Sequence, residues 1–432
     1  MTSGFIWLAV STGLLSLLTP CVFPMIPVTI AFFSSSLGEE RSGLRRPLLF
    51  GFGIVATFTV LGLALAGIFG AAGLSRFAAN PWVNLTLAAL FLLFAANLLG
   101  FLPTLIPWRM ANAANRASHN ADPGSSLGAL VMGATFTLTS VTCTAPFIGT
   151  LLVLASRGTW VSPVLGMLVY STAFAVPFVL LALAPRSVRR LPRAGHWMVS
   201  LRVVIGLLEI AAAIKFVSNT DMVLHWGVFT RTVVLIAWAA LAAIAALYLS
   251  RGFWRQKVRT DEHLIELVPA ALAALVALWL VSGINGRVLP EVEAFLPTSS
   301  PSTTTSTGAI QWVLNDYAGA LATAQTTGKP VFIDFTGYTC TNCRWMEANI
   351  FSRPDVESEL GNFVLSRLYT DGDGELYQKQ QSFQEQNFGT VALPLYAVVA
   401  PNGKIRSTFS GLTRNPAEFI AFLRRGRSTT GS

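Results

Sequence analysis

Eight long apolar stretches fall within residues 5–284, and they decide the solvent in which this chain must fold. They are Phe5–Leu37, Pro47–Leu74, Pro81–Trp108, Leu127–Ala155, Trp160–Ala184, Trp197–Ser218, Thr232–Leu249 and Leu264–Ile284. A helix of about 20 residues crosses a hydrocarbon core, so each stretch is a candidate span. The first is longer than one span and contains Pro20, Pro24 and Pro27, which predicts a broken or strongly kinked helix. Composition agrees with a membrane setting: 53% of the residues are apolar and 12% are charged, where a soluble globular chain carries about 25% charge. The lipid bilayer is thus the first partner the sequence implies.

The net charge of +9 does not point to nucleic acid, because Arg and Lys collect in short loops between the spans. The first loop carries Arg41, Arg45 and Arg46, and the third carries Arg109 and Arg116. The fifth carries Arg186, Arg189, Arg190 and Arg193, and the seventh Arg251, Arg255, Lys257 and Arg259. The even loops hold one each, Arg76, Arg157 and Arg231. Thirteen against three places the odd loops in the cytoplasm by the positive-inside rule, with both termini outside. An even number of spans requires the termini to share a side, in agreement. Met1–Gly4 carries no Lys or Arg and no A-x-A cleavage site follows, so the first span is expected to remain as an anchor.

The four cysteines carry the chemistry. Cys21 lies in Thr19-Pro20-Cys21-Val22-Phe23-Pro24 of the first span, and Cys143 in Val141-Thr142-Cys143-Thr144-Ala145-Pro146 of the fourth. Each is followed three residues later by a proline, Pro24 or Pro146, which removes a helical hydrogen bond and opens the backbone beside the thiol. Equivalent positions three spans apart run in opposite directions, the pattern of an inverted repeat whose pseudo-two-fold axis would bring the two sites together. A redox pair in the membrane is the reading this favours. Two ordinary buried cysteines are the plain alternative.

Pro297–Gly308 reads PTSSPSTTTSTG and has too little to bury, so it is expected to be a flexible linker. Beyond it the pattern predicts a helix over Ile310–Thr326, a strand Val331–Phe335, a helix from the C-x-x-C to about Ile350, a strand Phe363–Tyr369 and a helix Glu375–Asn387. Leu395–Ala400 and Lys404–Phe409 flank Pro401-Asn402-Gly403 as a hairpin, and Pro416–Arg425 closes as a helix. Cys340 and Cys343 form the C-x-x-C at the start of a helix, where a thiol pKa is lowered, so Cys340 is the candidate nucleophile and Cys343 the resolving thiol. Asp334, acidic within an apolar run, is a candidate to take and return the proton of Cys343. Glu347 lies one turn beyond Cys343, and Pro394, before a strand, is expected to be cis and to face the C-x-x-C. A zinc site would need His or further Cys in this region, and haem attachment would need His at 344, where Arg stands.

These segments resemble the DsbD family of transmembrane thiol–disulfide interchange proteins. Thr-Pro-Cys-Val-Phe-Pro and Thr-Cys-Thr-Ala-Pro resemble its CcdA-like membrane region; Asp334, Cys340, Cys343, Glu347 and Pro394 resemble its thioredoxin-like domain. The resemblance implies an eight-span helical domain with an inverted repeat over residues 1–290, a linker over 291–308, and an α/β thioredoxin-like domain over 309–432. It implies a bacterial inner-membrane protein in which cytoplasmic thioredoxin reduces Cys21 and Cys143. They then reduce Cys340 and Cys343, which reduce periplasmic thiol–disulfide proteins, including those of cytochrome c maturation. No cofactor beyond the redox-active disulfides enters this scheme. Family members carry an immunoglobulin-like domain ahead of the first span, and here only Met1–Gly4 precedes it, so that relay is expected to be missing or supplied by another protein. A disulfide-forming oxidase and a solute transporter with a thioredoxin-like module are the alternatives. Arg202, Glu209 and Lys215 in the sixth span are further candidates, with snorkelling the plain account of the two cations. Asp371-Gly372-Asp373-Gly374-Glu375 lacks the distal acid of a calcium loop and is expected to be a turn.

Overall fold

The computed structural model describes residues 3–18, 45–101, 128–137, 140, 161–183, 196–255, 260–297 and 311–428. Eight helices fall on the eight apolar stretches. They are α1 (Ser3–Leu15, extended by a 3-10 turn Ser16–Leu18), α2 (Arg45–Ala79), α3 (Pro81–Leu98), α4 (Gly128–Thr137), α5 (Val161–Leu183), α6 (His196–Leu224), α7 (Arg231–Arg255) and α8 (Thr260–Ile284). Among the described residues five of them, α2, α3, α5, α7 and α8, are long and apolar enough to cross a membrane. The helix α6 has the length but carries Arg202, Glu209, Lys215 and Asp221. The prolines expected to break the first span lie outside the described residues.

Two compact units are present, one of residues 1–74 and 90–210, the other of residues 75–89 and 211–432. The first is held by aromatic packing. Phe58 meets Tyr170 and Phe174 edge-on, and Phe136 meets Phe50 and Phe178 in the same manner. Such pairs add about 0.5–1.5 kcal/mol each beyond their area. The Ser16 and Tyr170 hydroxyls share a buried 2.8 Å hydrogen bond that ties α1 to α5. Lipid tails offer no hydrophobic drive for helices to pair, so close backbone approach matters more. A Cβ on Gly53 would stand 2.6 Å from the Leu130 carbonyl oxygen, and one on Gly133 would collide with the Phe50 carbonyl oxygen. Glycine at both positions lets α2 and α4 touch. Glu209, fully buried in α6, has neither carboxyl oxygen hydrogen-bonded among the described residues.

In the second unit α7 and α8 pack together and expose Ile236, Leu247, Leu272, Leu275 and Leu278, the outward-facing apolar surface that lipid requires. The remaining chain forms a five-stranded sheet, β1 (Trp312–Leu314), β2 (Val331–Thr336), β3 (Val364–Tyr369), β4 (Leu395–Val399) and β5 (Ile405–Ser410). The order is β1-β3-β2-β4-β5; β1, β3 and β2 are parallel, and β4 runs antiparallel to both its neighbours, β2 and β5. Its helices are α9 (Tyr317–Thr327), α10 (Thr341–Met346, continued by a π turn Glu347–Phe351), α11 (Pro354–Leu360), α12 (Glu375–Phe388) and α13 (Pro416–Arg427).

Strand alternation sorts this core. Val331, Ile333 and Phe335 face Ala320, Ala324, Phe383 and Phe388, while Phe332, two residues before Asp334, faces Met346, Ile350, Phe419 and Phe422. The helix expected over Ile310–Thr326 is only partly present. Trp312–Leu314 pairs with β3 as an edge strand, and the helix starts after Asp316, whose side chain accepts a 2.8 Å hydrogen bond from the Gly319 amide as its N-cap. Trp312 and Val313, bulky and β-branched, fit a pleated edge better than a helix start. The stretch assigned to the linker from residue 291 begins with ordered chain, a 3-10 turn Glu293–Phe295 in which Ala294 is buried.

Gly133→Leu is expected to wedge α2 and α4 apart at a cost of about 1–3 kcal/mol. Thermal unfolding in detergent should read this as a lower midpoint than wild type. An unchanged midpoint would mean that the close approach does not hold the unit together.

Candidate functional site

Cys340 stands where β2 gives way to α10. Its backbone is extended, and the Cys343 amide donates a 3.2 Å hydrogen bond to its sulfur. Cys340 and Cys343 are joined in a disulfide with their Cα atoms 5.3 Å apart. Cys343 is 1% exposed, and Cys340 is half-buried. A helix-start amide aimed at a sulfur, together with the helix dipole, favours the thiolate once the disulfide opens.

Beneath the helix lies a chain of alternating charges. Asp334 and Arg367 are direct partners across the parallel pair β2–β3, so their side chains rise on the same face. Arg367 donates through Nε to Asp334 Oδ2 at 2.9 Å, and its Nη2 lies 3.5 Å from Glu347 Oε1. Arg344, next to Cys343, donates to the same Glu347 oxygen at 2.8 Å and to Thr336 Oγ1 at 2.7 Å. The Arg367 guanidinium also lies over the Trp312 ring, 4.2 Å from its centre. Burial pushes the Asp334 carboxyl up to about 6, against the opposing pull of Arg367. Burial is the largest single effect on Arg344 and Arg367 and works against their charge, but Glu347, Asp334 and Tyr369 together outweigh it and hold both above the ordinary arginine range. Asp334 Oδ1 has no hydrogen-bond partner among the described residues.

The loop that delivers Cys340 is anchored by Asp371. Its carboxylate accepts from the Tyr338 amide at 2.7 Å, and from the Thr339 amide and hydroxyl at 3.0 Å each. A Cβ on Gly337 would stand 2.5 Å from that carboxylate, so glycine is required for the loop to close over it. The Leu393–Pro394 peptide is cis. Phe335 pairs with Leu395, so Pro394 enters the sheet at the end where β2 releases the 337–340 loop.

Cys340, Cys343, Asp334 and Glu347 are thus gathered around one helix, with Pro394 at the same end of the sheet. Cys21, Cys143, Pro24 and Pro146 lie outside the described residues. Arg344, Arg367 and Asp371 were absent from the sequence-based candidates. The signal for Arg367 is a lone cation in a mostly apolar strand, facing a lone acid in the next. That for Asp371 is an acid just past a strand end. Among the described residues no group of three or more His, Cys, Asp or Glu side chains gathers to hold a metal.

A carboxyl shifted upward on folding contributes stability that is full below about pH 4 and is lost as pH rises through about 6. Asp334→Asn should flatten the pH dependence of the unfolding midpoint between those limits. An unaltered slope would place the titration elsewhere.

Comparison with known proteins covers both parts of the chain. Residues 3–220 match the model of the cytochrome c biogenesis protein transmembrane domain, and residues 312–401 match a thioredoxin-like one. The thiol:disulfide interchange protein DsbD of Vibrio vulnificus is 30% identical over 394 residues, 87% of this chain and 61% of that protein. Its counterpart in Cronobacter sakazakii is 30% identical over 356 residues, 80% of this chain and 57% of that protein. DsbD 1 of Pseudomonas aeruginosa is 28% identical over 366 residues, 82% and 59% of the two chains. The chain spans about three fifths of the length of these curated relatives. With half its length matched by the membrane-domain model and a thioredoxin-like domain behind it, this chain belongs to the DsbD family, built on the cytochrome c biogenesis transmembrane domain.

Proposed function

We propose that this chain is a protein-disulfide reductase that carries electrons across the bacterial inner membrane by thiol–disulfide exchange. The observation that carries the reading is a Cys340–Cys343 disulfide at a helix start, over buried charges, in a thioredoxin-like domain joined to a membrane region of this family. The relatives' name, thiol:disulfide interchange protein, supports the same chemistry. The proposed division is a membrane electron-transfer domain over 1–290, a linker over 291–308 and an extracytoplasmic thioredoxin-like domain over 309–432, with both termini periplasmic.

In the proposed relay, cytoplasmic thioredoxin reduces a Cys21–Cys143 disulfide. One of the freed thiolates attacks the Cys340–Cys343 disulfide; the second membrane thiolate resolves the mixed disulfide, leaving Cys340 and Cys343 as thiols and re-forming the membrane disulfide. The Cys340 thiolate then attacks a disulfide of a periplasmic protein. Cys343 loses its proton and attacks the Cys340 sulfur, which expels the acceptor as a dithiol. Two electrons and two protons move in each cycle. Asp334, neutral below about pH 6 and charged above it, is the proposed acceptor of the Cys343 proton. Glu347 is proposed to hold Arg344 and Arg367 in place beside it. A donor near −270 mV feeding acceptors near −180 mV releases about 4 kcal/mol per pair of electrons, enough to drive the sequence without a bound cofactor.

The test is the in-cell redox state of Cys340–Cys343, read by acid quench and mass-tag alkylation. The pair should be reduced in wild type and oxidised in Cys21→Ala, in Cys143→Ala and in cells lacking thioredoxin reductase. The same state in all four strains would remove the membrane cysteines from the path and favour a transporter.

A further inference from the structure

The second unit contains a feature that thiol exchange alone does not require. Two loops at one end of α6, α7 and α8 are tied into a rigid ledge. At the end of α6, Asp221 accepts from the Val228 amide at 3.0 Å and the Phe229 amide at 3.1 Å, fixing the 225–230 turn. Arg231, the first residue of α7, holds the segment after α8. It donates to both carboxyl oxygens of Glu293, to the Gly283 carbonyl at 3.0 Å and to the Arg287 carbonyl at 3.2 Å. Glu293 in turn accepts from the Leu289 amide at 3.3 Å. Leu289 and Leu296 are buried against Val234, Leu235 and Leu280.

The ledge meets the face that bears the C-x-x-C. The 293–295 turn lies against α10. Asn349, in the π turn that continues α10, donates to the Pro290 carbonyl at 2.9 Å. Arg414, on the loop after β5, lies 3.6 Å from Glu291 and over the Trp345 ring. On the other side of the cysteines, the His225 ring meets the Tyr338 ring edge-on at 5.5 Å. Tyr338 is two residues before Cys340 and is stacked on Tyr369 at 4.1 Å. His225 holds φ 56°, the left-handed conformation that glycine takes at helix ends without strain.

We propose that the 225–230 turn and the 285–296 segment are a docking platform for the C-x-x-C face of this chain's own thioredoxin-like domain. A periplasmic protein disulfide reaches Cys340 only after the domain has left it. The platform and the outside acceptor compete for one face, so the domain alternates between receiving electrons and delivering them. This rests on the proposed relay for its purpose but not for its geometry.

The experiment uses the full chain in detergent with Cys21→Ala and Cys143→Ala, so that only Cys340 and Cys343 react. After reduction, the tagging rate by a bulky polyethylene-glycol maleimide is divided by that of N-ethylmaleimide. His225→Gly suits the left-handed backbone, so the fold is retained while the ring contact is lost. It should raise the ratio about two- to tenfold, the range an edge-on aromatic pair supports. Glu291→Arg should also raise it, and adding Arg414→Glu should restore it. With all four cysteines present, His225→Gly should slow reduction of Cys340–Cys343 by thioredoxin. An unchanged tagging ratio in His225→Gly and in Glu291→Arg overturns the platform. If thioredoxin does not reduce the wild-type pair at all, the relay fails, and the tagging ratio still judges the platform.

Discussion

The pairing of Asp334 with Arg367 across β2 and β3 is the interaction on which the redox end of this molecule depends. Two opposite charges under a helix are tolerated in a protein interior only when each finds a partner. The register of the strands supplies one, and Glu347 and Arg344 supply the rest. The consequence is a helix start fixed to the sheet from below. Arg344 reaches down to Thr336 while Cys343, its neighbour, points its amide at Cys340. Removing Arg367 would take from the buried Asp334 its ion-pair partner, which is far more harmful than losing a surface pair.

The two solvents of the protein explain its other devices. Where helices face lipid, apolar surface is exposed and polar ties sit at helix ends. Arg231 with Glu293, and Asp221 with the 228–229 amides, are of this kind. Where the chain faces water, the order reverses, with apolar layers on both faces of the sheet and charge outside. Asp334, Arg344 and Arg367 depart from that order, and they lie under the helix that opens at Cys340.

Much of this was legible in the sequence because the signals were local. Apolar stretches located all eight described helices of the first 284 residues. Short apolar runs located β2 and β3, the Pro401-Asn402-Gly403 turn located the hairpin, and the C-x-x-C, Asp334 and Glu347 were read from spacing along one strand and one helix. What escaped needs two distant segments at once. Arg367 matters because β3 lies beside β2, and Asp371 because the end of β3 reaches the loop before Cys340. Trp312–Leu314 is a strand because β3 offers it an edge, while its own neighbours read as a helix. His225 shows no ligand spacing in the sequence; what distinguishes it is a ring contact and a backbone angle, neither of which spacing reveals.

Whether electrons cross the bilayer through the chain itself can be read in a sealed vesicle. The full chain would be reconstituted in one orientation, with thioredoxin, its reductase and NADPH confined to the side of the arginine-rich loops. Cys340–Cys343 would then be followed from the other side with an impermeant thiol tag. Transfer through the chain requires that the pair become reduced in wild type and stay oxidised in Cys143→Ala. A pair that stays oxidised in both, or is reduced in both, would contradict it.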